Sequence, residues 1–229
     1  MIYSYSNLKM LKTCPLQCFR TYVKKDLPFH ETTESIWGNR VHDALKDRLR
    51  KVAPLPDDLQ KYEGFCLSLD RFDPKTEIML GCDRDGNACG FFGKHVWLRG
   101  KADVVVVDKT TAALFDWKTG KPFEDPFELA VQALLLKINM PILSKISGQY
   151  IWLKEMRLGR THDLRATAVT WGDVVLLHER TERYEKAGEW PKSPNVLCGW
   201  CRVHDCEHNP EYQKNDARGE GQAGSHQVA

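Results

Sequence analysis

The chain has 229 residues, 42% of them hydrophobic and 28% charged, an ordinary globular composition for one large domain or one domain with an appendage. Its 33 Lys and Arg against 31 Asp and Glu leave a net charge of +2, so bulk charge neither demands nor excludes a nucleic-acid partner. No apolar run is long enough to span a bilayer and Met1–Ser6 lacks the regions of a signal peptide, so the expectation is a cytoplasmic chain with no membrane partner. In a reducing compartment the eight cysteines are not a disulfide framework.

Ser4 to Leu8 reads as a capped helix start, with Leu8 and Leu11 on one side, and Cys14-Pro15 interrupts it. A second helix follows through Leu16, Phe19, Arg20 and Val23. From Ile36 the spacing of Val41, Leu45, Leu49 and Val52 predicts a longer helix ended by Pro54. His42 sits on the edge of that stripe, where a histidine by itself is more often packed core than a ligand. Residues 57–72 read as helix, Lys75 to Cys82 as a strand, Asp83 to Asn87 as a tight turn and Ala88 to Leu98 as the returning strand. The run Gly100 to Val107, the turn Asp108-Lys109-Thr110-Thr111 and the run Ala112 to Lys118 form a second hairpin, completing a meander of about four strands.

A turn centred between Lys109 and Thr110 places Asp103 opposite Asp116, with Cβ atoms roughly 5 Å apart. Alternation puts Lys118 on the same face. Two carboxylates this close repel unless a cation lies between them, and carboxylate oxygens suit a hard ion such as Mg²⁺ or Mn²⁺. Together with an ammonium this is equipment for phosphodiester hydrolysis. The alternative is an ordinary ion pair of Asp103 with Lys118 or Lys101 on a sheet face.

Beyond the loop at Thr119 to Pro122, Asp125-Pro126-Phe127-Glu128 combines an N-cap, a proline at the first helical position and an acid at the third. Phe127, Val131, Leu134, Leu135 and Ile138 then form a buried face, with Gln132 on its flank. Gly148–Met156 and Thr161–Thr170 read as a further hairpin, and Asp173–Lys186 as a helix stopped by Gly188. Cys198, Cys201 and Cys206 stand at the spacing of a soft metal centre, zinc or iron-sulfur. His204 or His208 could complete a zinc site, a distant cysteine an iron-sulfur cluster. The composition of the final stretch, 209–229, is that of a disordered tail.

These parts together resemble the PD-(D/E)XK nucleases of the RecB type, including the iron-sulfur exonucleases of CRISPR adaptation and the AddB-like nucleases. The resemblance is carried by Ser4-x-Ser6-x-Leu8 with Cys14-Pro15, by Gly38-x-x-Val41-His42, by Gly100-x-x-Asp103, by Asp116-x-Lys118 with Thr119-Gly120, and by Gln132. The chain departs from the pattern at Leu136, where the family has a tyrosine, and in the tight Cys201-to-Cys206 gap. The resemblance implies an α/β fold with a central mixed β-sheet flanked by helices, a restriction-endonuclease-like core. Its single nuclease domain would cover 1–208, with a helical part at 1–56, the catalytic sheet and helix at 73–170 and a cysteine segment at 190–208. It implies His42, Asp103, Asp116 and the Trp117 backbone carbonyl as ligands of Mg²⁺ or Mn²⁺, with Lys118 and Gln132 completing the catalytic set. It further implies a [4Fe-4S] cluster on Cys14, Cys198, Cys201 and Cys206, joining the N- and C-terminal segments. Zinc is the alternative metal, and Cys18 competes with Cys14. The implied activity is that of a metal-dependent deoxyribonuclease, an exonuclease on single-stranded or frayed DNA ends in recombination, repair or phage DNA metabolism, partnered by DNA and by a second copy or a recombination protein. A catalytically silent nucleic-acid-binding or assembly module and a zinc-containing RNA-processing nuclease are the alternatives.

Overall fold

The computed structural model describes residues 1–27 and 30–212. Ile2–Tyr5 with His30–Val175 form one compact unit, and Met1, Ser6–Phe29 and the chain from Leu176 form the other. Among the described residues no helix is long and apolar enough to cross a membrane.

The first unit is built on a six-stranded sheet. In chain order its strands are β1 (Lys75–Cys82), β2 (Ala88–Cys89), β3 (Leu98–Asp108), β4 (Thr111–Lys118), β5 (Lys145–Trp152) and β6 (Arg157–Asp163). Across the sheet the order is β2-β1-β3-β4-β5-β6, antiparallel except for the parallel β4–β5 pair. A parallel pair needs a crossover, and the helix Pro126–Asn139 supplies it. The fold is thus a mixed α/β sheet with helices, as the sequence predicts.

Of the helices, α1 (Tyr5–Thr13) and α2 (Pro15–Cys18) open the chain and α3 (Thr33–Leu49) follows. The latter starts three residues before Ile36, because Thr32 and Ser35 exchange side-chain and backbone hydrogen bonds in a capping box. After a 3₁₀ segment at Asp57–Tyr62 come α4 (Glu63–Asp70), the crossover α5 and α6 (Thr167–Ala187). Val41, Leu45 and Leu49 of α3 pack with Leu59, Tyr62, Cys66 and Leu69 against Val104, Trp117, Ile151 and Leu153 of the sheet side. Leu45 is fully buried there, one turn from His42. Leu45→Ala is therefore expected to cost about 3 kcal/mol by urea denaturation, and a loss under about 1 kcal/mol would mean that this core collapses around the gap.

The crossover helix is buried all round from Val131 to Leu136, more than a one-sided stripe predicts. It comes close because two positions facing it lack a side chain. A Cβ on Gly100 would lie 2.9 Å from Leu135 Cδ1, and one on Gly148 3.4 Å from Leu129 Cδ1.

Two predicted strands are shorter than expected. The strand over 88–98 shrinks to Ala88–Cys89, and β1 pairs directly with β3. The Gly93 N–H bonds the Gly90 carbonyl at 2.8 Å, and a Cβ on Gly93 would lie 2.9 Å from that oxygen, so the two glycines close a turn where the aromatic pattern suggests extended chain. The strand over 161–170 ends at Asp163, and from Thr167 the chain is helical.

In the second unit N- and C-terminal segments meet through the protein itself. Trp190 stacks on Phe19 at 5.0 Å and lies 5.6 Å from Tyr184. The Leu16 N–H donates to the Pro191 carbonyl at 3.0 Å, and Arg20 forks onto Asp205 at 2.8 and 2.9 Å. Asn209, assigned by composition to the tail, is buried and donates to the Cys201 carbonyl at 2.7 Å. The rest of the expected tail, from 213, lies outside the described residues.

Candidate metal centre

The β3–β4 ladder runs from Asp108↔Thr111 to Val104↔Phe115 and then opens, whereas β4 stays paired with β5 to Lys118↔Trp152. Asp103 and Asp116 are the next opposed positions of that register, at the mouth of a fork between strands. The turn sits between Lys109 and Thr110, with Lys109 in the left-handed region at φ 51°.

Asp103 is held from both sides. Its Oδ2 accepts the Trp117 backbone N–H at 3.0 Å and lies 3.4 Å from His42 Nδ1, delivered by α3. The Trp117 indole itself is buried in the α3–α4 core. Asp116 is almost fully buried; its Oδ1 accepts from Gln132 Nε2 at 3.0 Å and its Oδ2 lies 2.6 Å from Lys118 Nζ. The Lys118 ammonium also donates to Glu128 Oε1 at 3.0 Å.

The match between helix and strand is one of spacing. Glu128 and Gln132 are four apart on α5, about 6 Å of rise, and Lys118 and Asp116 are two apart on β4, about 6.7 Å. The helix pair therefore meets the strand pair rung for rung. Asp125 sets the start of this helix by accepting the Phe127 N–H at 3.1 Å. Tyr150, opposite Asp116 on β5, shares its hydroxyl between the Asp125 carbonyl at 2.7 Å and Glu128 Oε2 at 3.1 Å.

The electrostatics follow from burial and crowding. Burial first, and then the neighbouring Asp103, push the Asp116 carboxyl up to about 7, with Lys118 opposing. Burial disfavours the Lys118 cation, but Asp116 and Glu128 outweigh it and hold its pKa above the ordinary lysine value. His42 follows the same logic: burial opposes its charge, and Asp103, Asp116 and Glu77 raise it on balance.

Glu77 is the residue that sequence reasoning missed. The β1–β3 register pairs Thr76 with Val104 and Ile78 with Ala102, so Glu77 lies opposite Asp103. It adopts φ 55° and its carboxylate pairs with Lys101. Ligand atoms of His42, Glu77 and Asp103 all lie within 4.8 Å of one another, a nitrogen and two oxygens suited to a divalent ion. His42 and Glu77 line a pocket together with Gly38, Asn39, Lys101 and Thr119.

The cysteines gather elsewhere, within the second unit. Cys14, Cys198, Cys201 and Cys206 line one cavity, together with His208. Burial raises the Cys201 thiol, and Cys14, Cys198 and Cys206 add to the shift, against the Val203 backbone hydrogen bond. Cys18 is buried, with its thiol donating to the Asn7 carbonyl at 3.5 Å, and His204 is paired with Glu211 at 2.7 Å.

No family model matches the sequence, and no curated protein does. Among solved structures the chain is similar to SSO0001, at 15% identity over 91% of this chain and 86% of that one with a TM-score of 0.46. It is also similar to a structure from Eubacterium rectale named "putative exonuclease", at 15% identity over 88% of this chain and 87% of that one with a TM-score of 0.50. At this identity the second likeness speaks for the fold alone, a mixed sheet flanked by helices.

Glu128→Gln tests how far Lys118 depends on its second anchor. Removing that charge leaves the ammonium with Asp116 alone, and a loss of about tenfold in any Lys118-dependent rate is expected, corresponding to about 1.4 kcal/mol. An unchanged rate would make Glu128 a cap and nothing more.

Proposed function

We propose that this chain is a metal-dependent nuclease of the PD-(D/E)XK type, related to the RecB-like exonucleases, acting on single-stranded or frayed DNA ends. The observation that carries this is the meeting of His42, Asp103, Asp116, Lys118 and Gln132 at the β3–β4 fork. These residues are scattered over four elements, and no packing need explains two buried acids at one point. The donor set fits a divalent ion on its own chemistry: an imidazole, crowded carboxylates and no thiolate.

Mg²⁺ or Mn²⁺ would be held by His42, Asp103, Asp116 and the Trp117 carbonyl, with Glu77 within reach. A bound ion supplies an acidified water and neutralises charge on the phosphate. The chain's own residues do the positioning. Gln132 fixes the rotation of the Asp116 carboxylate, leaving Oδ2 toward Lys118. Lys118, kept cationic by Asp116 and Glu128, stabilises the negative charge that builds on the phosphate oxygens and orients the attacking water. The Trp117 N–H holds Asp103 in line with the strand.

The cavity of four cysteines supports a [4Fe-4S] cluster as a structural staple of the second unit, with zinc held by the cysteines and His208 as the alternative. Incubation with 5′- and 3′-labelled single- and double-stranded DNA, and with RNA, in Mg²⁺, Mn²⁺ or EDTA tests the activity. Stepwise shortening of DNA in Mn²⁺ or Mg²⁺ and none in EDTA is expected. Intact DNA under all conditions would leave a binding module, and cleavage of RNA alone would redirect the assignment.

A further inference from the structure

The Gly90–Gly93 turn carries Phe91 and Phe92, which take no part in the α3–α4 core. Phe92 is 78% exposed. The two rings meet edge to face at 4.9 Å, and the Arg99 guanidinium lies 4.8 Å from the Phe91 ring centroid and 5.9 Å from that of Phe92. Arg99 Nη1 also donates to the Phe91 carbonyl at 3.3 Å, which ties the turn to β3. A glycine-closed turn thus presents an aromatic ring to solvent with a cation at its base, and leaves apolar surface that folding itself does not use.

Its position relates it to the metal centre. Arg99 precedes Asp103 by four residues on β3, about 13 Å of strand. Alternation puts Arg99 and Lys101 on one side of β3, and Gly100 between them faces Leu135 of α5. Lys101 confirms that side by pairing with Glu77. Opposite Lys101 on β1 is Met79, 54% exposed. An exposed strip therefore runs from the pocket of His42 and Glu77 past Lys101 and Met79 to the Phe91–Phe92–Arg99 cluster.

We propose that Phe91, Phe92 and Arg99 form a stacking platform for an unpaired nucleobase of a strand lying along this strip, with phosphates following Lys101 and Arg99. A ring and a guanidinium plane offer stacking to any base, so the platform is tolerant of sequence. It requires an unpaired base, because pairing in a duplex hides the face that stacks. Only the distance from the platform to the cut bond, two to four nucleotides at about 3.4 Å or more each, rests on the nuclease reading; base stacking itself does not.

The test is binding without cleavage. Fluorescence anisotropy in EDTA compares the full chain with a labelled twelve-residue oligothymidylate and with a backbone of equal length lacking all bases. Wild type is expected to bind the oligothymidylate about tenfold more tightly than the abasic strand. Phe92→Ala should lose that difference with its abasic affinity unchanged, and Phe92→Trp should retain it. Wild-type binding indifferent to the bases, a Phe92→Ala protein that keeps the difference, or one weakened equally on both strands would overturn the proposal. Base-dependent binding in a protein that cuts nothing would sink the nuclease reading and keep the platform. Cleavage with base-indifferent binding would do the reverse.

Discussion

Asp116→Asn is expected to lower metal-dependent cleavage by about 10³-fold or more while leaving the metal-free protein at least as stable as wild type. The carboxyl is buried beside Asp103 and is pushed up to about 7, so in the folded chain its ionised form is the disfavoured one. The sign follows from linkage: a carboxyl raised on folding contributes stability below its ordinary range, and that contribution is lost as pH rises through about 7. At pH 8 the metal-free wild type carries a buried charge that Lys118 and Gln132 only partly compensate. The asparagine keeps a hydrogen-bonding oxygen for Gln132 and removes that charge. Thermal melts in EDTA should therefore show wild type losing stability relative to the variant between pH 5 and pH 8, and added Mn²⁺ should restore wild type alone. A variant that cleaves like wild type would remove Asp116 from the mechanism, and one that is unfolded in EDTA would make it structural.

The features read most directly from sequence are those set by neighbours in the chain. The Asp108–Thr111 turn fixes the β3–β4 register by itself, and with it the meeting of Asp103 and Asp116. Asp125, Pro126 and Glu128 mark the start of α5 so firmly that Gln132 falls where its amide reaches Asp116. Glu77 was hidden because its place depends on β1 pairing with β3, and the aromatic stretch at 91–92 imitates an intervening strand. Only the closeness of Gly90 and Gly93 reveals a turn there. Glu128 reads as a capping acid, and nothing local indicates that its side chain also holds Lys118. Leu136, where the motif it resembles has a tyrosine, is fully buried. Tyr150 on the neighbouring strand donates its hydroxyl to Glu128, a contact that linear spacing cannot carry.

Cys198→Ser is expected to bleach the protein and lower its melting temperature by about 10 °C or more, since metal bound only by the folded chain contributes its binding free energy to folding. Anaerobically purified wild type should be brown, with a broad absorption near ~400 nm from thiolate-bound iron. The four thiols of the cavity come from opposite ends of the sequence, Cys14 at the α1–α2 junction and the others around the 3₁₀ turn Val196–Trp200. Only the folded chain brings thiols so distant in sequence together, so a centre that binds them adds its binding free energy to folding. Cys18→Ser separates ligand from bystander: its thiol is spent on the Asn7 carbonyl, so the colour should survive. The residues of the proposed nuclease site all belong to the other unit, so Cys198→Ser protein kept below its melting point should still cleave with Mn²⁺. A colourless wild type holding one zinc would select the cysteines with His208 instead of the cluster, and a Cys198→Ser protein as coloured and as stable as wild type would show that the cavity holds neither.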